Sequence, residues 1–121
     1  MEDKFREIWE TYTSSWKSAD NAEKQELYRQ SLDDNCTYTD PLTSTQGWDQ
    51  LLDYMNEFHK QIPGGYFETT YFLTHHNRSI AQWNMKSGDG TILGTGISYG
   101  QYNDAGKLTA MVGFYETPEA S

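Results

Sequence analysis

The sequence predicts one α+β domain, in which three helices in the first half of the chain pack on a curved antiparallel sheet formed by the second half. Apolar side chains recur at helical spacing up to about residue 62, and from Tyr66 onward they alternate with a period of two. Helices first and strands afterwards is the pattern of an α+β fold. With 121 residues the chain can bury one core but not two, so residues 1–121 are expected to form a single domain.

The first helix is indicated by an apolar stripe that spans about three turns. Its members are Phe5, Ile8, Trp9, Tyr12 and Trp16. Charged residues take the opposite side, and we expect the helix to end near Ser18. Asp20 is the expected N-cap of a second helix, with Glu23 three residues later as in a capping box. The residues of this helix expected to face inward are Leu27, Tyr28 and Leu32.

A short strand is predicted at 36–39. It ends at Asp40-Pro41, because proline cannot donate to a sheet and holds the preceding residue extended. Residues 43–46 are predicted to form a polar loop. A third helix is predicted from about Gly47, and Pro63-Gly64-Gly65 ends it. Its apolar stripe consists of Trp48, Leu51, Leu52, Met55, Phe58, His59 and Ile62.

The second half is predicted to form a four-stranded antiparallel meander. Strands are expected at 66–75, 79–87, 91–102 and 108–115, with tight turns at 87–90 and 103–106. His75 and His76 are adjacent, so as strand residues they would point to opposite faces, one inward and one solvated. Such a pair could not hold one metal ion together.

One face of the third long strand is nearly bare of side chains. It carries Gly94, Gly96, Ser98, Gly100 and Tyr102. Glycine inside a strand costs about 0.5–1 kcal/mol relative to alanine, so three on one face require a cause. Either the sheet bends and a helix packs closely on the strand, or the bare face borders a cavity. The neighbouring strands would line such a cavity with Trp83, Met85, Met111 and Tyr115.

Composition excludes several classes of partner. A net charge of −9 repels phosphate backbones and anionic lipids, so neither nucleic acid nor a membrane is an expected partner. Cys36 is the single cysteine, so no internal disulfide can form. The sequence shows no apolar run long enough to span a bilayer and no signal-peptide pattern, and we expect a cytoplasmic protein. No metal-ligand spacing or phosphate loop is present, so no metal or cofactor is expected.

Three residues stand out as possible carriers of chemistry. Asp40 lies at a strand end before proline, where an aspartate either forms a turn or serves a function. Tyr12 lies on the buried stripe of the first helix, a position that by itself indicates core packing. Ser98 places a hydroxyl among glycines on the bare face.

Two helices, a short strand ending in Tyr38-Thr39-Asp40-Pro41, Gly47 before a third helix, and a four-stranded meander resemble the nuclear transport factor 2-like superfamily. The pattern is closest to the SnoaL-like and ketosteroid-isomerase-like branch and covers nearly the whole chain. The resemblance implies a cone-shaped α+β barrel with helices across its concave face, a hydrophobic pocket, and a homodimer formed through the outer sheet face. Members include isomerases, dehydratases, epoxide hydrolases, polyketide cyclases and non-catalytic binders.

The resemblance to ketosteroid isomerases also implies roles for single residues. Asp40 matches their proton-shuttling aspartate, which occupies an Asp-Pro step after the first short strand. Tyr12, eight residues before Asp20, matches their oxyanion-stabilising tyrosine. Ser98 stands where they use a protonated aspartic acid, and a serine is a weaker donor to an oxyanion. This departure argues against steroid isomerisation itself.

Three functions are therefore open. The chain is an isomerase-, cyclase-, dehydratase- or hydrolase-type enzyme with Asp40 as general base, a ligand-binding protein without chemistry, or an interaction module. The module would use the outer face of the third long strand, with Thr95, Ile97, Tyr99 and Gln101. The ligand is expected to be a small hydrophobic molecule. Its expected contacts are Tyr38, Tyr54, Met55, Phe58, Trp83, Met85, Met111 and Tyr115.

Overall fold

A computed structural model of the chain describes residues 2–116, with side chains from Lys4 to Glu116. This part of the chain forms three helices and six strands. They are α1 (Glu2–Lys17), α2 (Asn21–Ser31), β1 (Leu32–Asp40), β2 (Thr43–Gln46), α3 (Gly47–Gln61), β3 (Tyr66–His75), β4 (Arg78–Lys86), β5 (Ile92–Tyr102) and β6 (Leu108–Phe114). Among the described residues, no helix has the length and apolar character needed to cross a membrane.

All six strands belong to one curved sheet with the order β2-β1-β6-β5-β4-β3. Strands β3 to β6 form the expected antiparallel meander. The sheet as a whole is mixed, because β1 runs parallel to β6, and it is unclosed, with β2 and β3 at its edges. The α+β prediction is confirmed. The parallel contact brings the end of β1 beside the end of β6, which decides where the candidate site lies.

The segment after Asp40-Pro41 is a strand and not the polar loop that we expected. Residues 43–46 form β2, which pairs antiparallel with β1. The Asp40 carboxylate makes the reversal possible, because its Oδ1 accepts hydrogen bonds from the backbone N–H groups of Leu42 (2.8 Å) and Thr43 (3.1 Å). Strand β1 is also longer than predicted. It begins at Leu32, which pairs with Leu108 instead of continuing α2.

The β3–β4 turn contradicts the expectation that one histidine of the 75–76 pair faces inward. His76 and Asn77 have positive φ angles of 47° and 60°, the signature of a two-residue type I′ hairpin turn. Because His76 lies in the turn, strand alternation does not govern its direction. Both histidines are exposed, and their Nδ1 atoms lie 3.0 Å apart.

The bare face of β5 is used mainly for close packing. A Cβ at Gly100 would lie 2.8 Å from Ser79 Oγ on the neighbouring strand, 3.0 Å from Leu108 Cδ2 and 3.3 Å from a ring carbon of Trp9 on α1. A Cβ at Gly96 would collide with the Trp83 ring. Gly94 differs, because the nearest atom to a Cβ there would be 4.0 Å away. Of the two alternatives left open by the sequence, helix and ring packing accounts for Gly96 and Gly100.

These two environments give a prediction about stability. We expect Gly100→Ala to lower the free energy of unfolding by about 1–3 kcal/mol, because the added methyl overpacks buried Trp9 and Leu108. Gly94→Ala, on the same face of the same strand, should be neutral or stabilising by up to about 1 kcal/mol, because nothing obstructs its methyl. Urea denaturation followed by circular dichroism measures both. Equal losses in the two variants would contradict the packing explanation.

Candidate functional site

The Asp40 carboxylate is buried at the end of β1 and is fully engaged by donors. Its Oδ1 accepts the two backbone hydrogen bonds that form the turn. Its Oδ2 accepts hydrogen bonds from the hydroxyls of Tyr38 at 2.7 Å and Tyr54 at 2.8 Å. An ionised carboxylate offers about four acceptor positions, so all of them are occupied. No ion pair among the described side chains includes Asp40.

A third phenol completes what we call the Asp40 cluster: Asp40, Tyr38, Tyr54 and Tyr115. The Tyr115 hydroxyl lies beside both Asp40 and Tyr54. Burial, and after it the charge of Asp40, raises the pKa of Tyr115 to about 12. Burial likewise raises the pKa values of Tyr38 and Tyr54 well above the ordinary range, with contributions from Asp40. All three phenols are therefore protonated hydrogen-bond donors at neutral pH.

The fold explains why these four residues meet. Tyr38 and Asp40 are two apart on β1, so their side chains lie on the same face. Tyr54 reaches them from α3. Strand β6 runs parallel to β1 with Thr39 opposite Val112, so the chain that leaves β6 passes Asp40 and places Tyr115 beside it.

A bare backbone position adjoins the carboxylate at Gly113 on β6. A Cβ built there would lie 3.6 Å from Asp40 Cβ, 3.7 Å from Ser98 Oγ and 3.8 Å from the Tyr38 hydroxyl. Ser98 is the cross-strand partner of Gly113, and its Oγ accepts a hydrogen bond from Trp83 Nε1 at 2.9 Å. Asp40, Tyr38 and Ser98 thus converge on one small gap, which could take an atom of a ligand.

Aromatic rings form a continuous wall next to the cluster. Trp16 contacts Tyr38 and Tyr54 with ring centroids 5.6 and 6.1 Å apart. Phe67 contacts Trp16 at 5.4 Å and Trp83 at 5.0 Å, and Phe58 stacks on Phe67. Trp16 and Phe67 were not among the predicted ligand contacts. The helical stripe identified Trp16 as a core residue, but its contact with Phe67 joins segments that are distant in sequence.

An open cavity of about 680 Å³ lies where β6 ends. Phe114 at the end of β6 pairs with Ile97, and β5 extends past this point towards Gly94. The walls include Trp83, Gly96, Ile97, Phe114, Tyr115 and Glu116. Because Trp83 contacts Ser98 and Tyr115 lies beside Asp40, the cavity adjoins the Asp40 cluster.

Solved structures share this architecture over nearly the full chain. One is a candidate isomerase of the SnoaL-like family from Agrobacterium tumefaciens, with a TM-score of 0.86 and 25% identity, covering 95% of this chain and 99% of that one. A SnoaL-like polyketide cyclase candidate from Jannaschia sp. CCS1 has a TM-score of 0.76 and 12% identity, covering 95% and 87%. A de novo designed protein with a curved β-sheet has a TM-score of 0.75 and 13% identity, covering 98% and 89%.

The chain has the SnoaL-like form of the nuclear transport factor 2-like fold. The expected resemblance is thereby confirmed as a fold. No protein-family model and no curated protein sequence matches the chain. A fold does not by itself specify an activity, so function has to be argued from the site.

Several predicted site residues of this SnoaL-like fold make no hydrogen bond to the Asp40 cluster among the described residues. Tyr12 is buried, and its hydroxyl accepts a hydrogen bond from Trp16 Nε1 at 2.9 Å, with no bond to Asp40 among the described residues. Met55 is fully buried between the helices, where its sulfur accepts a hydrogen bond from the Tyr28 hydroxyl. Met111 is buried next to Tyr38 in the sheet. Met85 is half-buried opposite Gly94.

A second polar cluster joins the helices and was not predicted. Lys24 on α2 is fully buried. Its Nζ lies 3.2 Å from His59 Nδ1 and 3.4 Å from Asn56 Oδ1, both on α3. His59 Nε2 contacts the backbone carbonyl of Trp16. Since a carbonyl can only accept, His59 Nε2 carries the proton and the neutral ring accepts from Lys24 at Nδ1.

This arrangement predicts a pH dependence of stability. Burial lowers the pKa of His59 below its ordinary value of 6.5, and the charge of Lys24 lowers it further. The unfolded chain therefore binds a proton at His59 more readily than the folded chain does. The neutral His59 ring makes its full contribution to the free energy of unfolding above pH 6.5, and this contribution is lost as the pH falls below 6.5. We expect His59→Gln to flatten the fall in urea midpoint between about pH 7.5 and 5.5. The exposed His75→Gln is the matched control, and an equal change there would refute the assignment.

Proposed function

We propose that the chain binds a small, largely apolar molecule beside the Asp40 cluster and transforms it by proton transfer, with Asp40 as general base. The observation that carries this proposal is a buried carboxylate without a cation, placed next to the gap at Gly113 and the Ser98 hydroxyl. A charge buried without a counter-ion is costly, and such groups concentrate at functional sites. Isomerase, cyclase and dehydratase reactions all need this step, and two structural neighbours carry names of this class.

The hydrogen bonds indicate which atom would react. Asp40 Oδ1 is held by the turn, whereas Oδ2 is held by two phenols. Tyr38 is buried on β1 and Tyr54 is only half-buried on α3, so Tyr54 is the donor that can rotate away. Its departure frees an acceptor position on Oδ2, which takes a proton from a C–H bond of the substrate. Charge that develops on a substrate oxygen then receives a hydrogen bond from Ser98.

Tyr12 has a different place in this proposal from the one that the ketosteroid isomerases imply. Its hydroxyl accepts a hydrogen bond from Trp16, and after burial its proximity is the next cause that raises the pKa of Tyr38. We therefore propose that Tyr12 supports Tyr38 and that Ser98 contacts the substrate.

The proton-transfer step can be tested with nitrobenzisoxazole. A carboxylate removes the C–H proton of this compound, the N–O bond breaks, and a coloured cyanonitrophenolate forms. We expect the wild-type chain to accelerate this elimination and Asp40→Asn to lose about 100-fold or more of the rate. Tyr54→Phe should retain or raise the rate, since it frees an acceptor position on Oδ2. Absorbance of the phenolate measures all three.

Asp40→Asn and a further variant, Gly113→Ala, distinguish catalysis from ligand binding alone. The fully occupied acceptor positions of Asp40 favour a ligand-binding protein without chemistry as the second candidate function. That alternative predicts saturable binding of the neutral dye Nile red, lost in Gly113→Ala, and an elimination rate that does not depend on Asp40. The methyl of Gly113→Ala makes only ordinary contacts of 3.6 to 3.8 Å, so it fills the gap without disturbing the fold.

We also propose a homodimer formed through the outer face of the sheet. This face is rich in exposed apolar side chains, and the strand register places Leu73 opposite Ile80. Tyr71 extends the same patch. Contiguous exposed apolar area of this kind marks interaction surfaces.

Light scattering tests the dimer. We expect the mass of two chains at micromolar concentration for the wild type, and of one chain for Ile80→Glu, because a charge at the centre of the patch cannot be buried unpaired. Leu42→Glu is the control, since Leu42 is also apolar and exposed but lies in the β1–β2 turn. A wild-type monomer would contradict the proposal.

A further inference from the structure

The cavity at the end of β6 combines an aromatic corner with acidic charge. The rings of Trp83 and Tyr115 stand at 68° with centroids 6.1 Å apart, and both line the cavity of about 680 Å³. Glu116 is its one charged lining residue, and no lysine, arginine or histidine of the described residues contributes to the walls. The cavity therefore presents aromatic surface and one carboxylate, with no cationic side chain among the described lining residues.

A second negative charge lies behind this corner. Asp40 sits beside Tyr115 and is satisfied only by neutral donors, namely two phenols and two backbone N–H groups. Its charge contributes to raising the pKa of Tyr115. Among the described side chains, neither Asp40 nor Glu116 takes part in an ion pair. The local negative potential is thus not neutralised from within the described chain.

Other aromatic rings of the same sheet are supplied with cations by the chain itself. Arg6 lies over the Phe72 ring at 5.8 Å, and Lys17 lies over the Tyr66 ring at 5.0 Å. Trp83 and Tyr115 receive no such cation from the described residues. Lys86, three positions after Trp83, is held by Glu68 at 3.0 Å. The corner is a place where a cation from solution would complete the charge balance.

We propose that this cavity binds the ammonium group of a small organic cation between Trp83 and Tyr115, with Glu116 and Asp40 supplying the opposing charge. The proposal goes beyond the proposed function and rests on it only for the apolar part of the ligand, which would extend towards the Asp40 cluster. Indole and phenol faces attract ammonium groups within about 6 Å of the ring centroid. The net charge of −9 raises the local concentration of cations.

An organic ammonium ion fits this place better than a metal ion. The described residues bring no three His, Cys, Asp or Glu side chains together in a metal-binding arrangement, and a hard cation needs several oxygen ligands. An alkylated ammonium ion spreads its charge over methyl groups that pack on ring faces, so two rings and one nearby carboxylate are sufficient to bind it.

The test compares choline with dimethylbutanol, its neutral isostere, in which a carbon atom replaces the charged nitrogen. Both are titrated into the full chain while the indole N–H signal of Trp83 is followed by NMR, with Trp83→Phe used for assignment. We expect saturable binding of choline and at least about 10-fold weaker binding of the isostere.

Tyr115→Leu should weaken choline binding about 10-fold and Tyr115→Phe much less, because the phenylalanine ring retains a π face. Glu116→Gln should weaken it and reduce its dependence on salt.

Equal binding of choline and dimethylbutanol would overturn the cation proposal, and so would the absence of any saturable shift. The elimination assay separates this failure from that of the proposed function. If the wild-type chain does not bind choline but its elimination activity depends on Asp40, the cation site alone is overturned. Choline binding that discriminates against the isostere, in a chain whose elimination ignores Asp40, supports the cation site and overturns the proton-transfer function.

Discussion

The four hydrogen bonds to the Asp40 carboxylate connect parts of the chain that are far apart in sequence. One oxygen organises the turn that lets β2 return along β1. The other joins β1 to α3 through Tyr38 and Tyr54. A buried carboxylate would be expensive alone, and the donors that offset this cost are the groups that shape the site. The same residue therefore serves the architecture and forms the polar end of the candidate site, so structural and functional readings of Asp40 do not exclude each other.

Aromatic packing explains why the cavity lies where β6 ends. The concave face is occupied by rings that use the space left by glycines: Trp9 over Gly100 and Trp83 over Gly96. Trp16, Phe58 and Phe67 continue the wall towards the helices. What is left open is the small gap at Gly113 and the cavity where β6 stops. A chain with 15% aromatic residues thus fills much of its interior with rings and leaves an open cavity beside Trp83 and Tyr115.

Sequence periodicity predicted the helices and the four long strands to within about a residue or two, because each depends on a local pattern. It failed at β2, whose residues are polar on both faces and become a strand only because Asp40 reverses the chain beside β1. It also failed at His76, where a turn with positive φ breaks the alternation. In the site, Tyr38 and Asp40 share a face because they are two residues apart on β1, a relation that depends only on local alternation. The convergence of Gly113 with Ser98 and Asp40 could not be predicted, since it depends on β6 lying parallel to β1 and antiparallel to β5.

The fold restricts the chemistry without choosing it. The same fold can serve many activities, so the discriminating features must be those that folding does not require. Asp40 Oδ1 fails that criterion, because the turn needs it. The gap at Gly113 and the hydroxyl hydrogen of Ser98 meet it, because neither takes part in a hydrogen bond among the described residues. Trp83 links the two regions, because its indole N–H holds Ser98 while its ring faces the cavity with Tyr115. A ligand that contacts the Trp83 ring would therefore touch the same side chain that donates to Ser98, whose hydroxyl lies with Asp40 around the gap at Gly113.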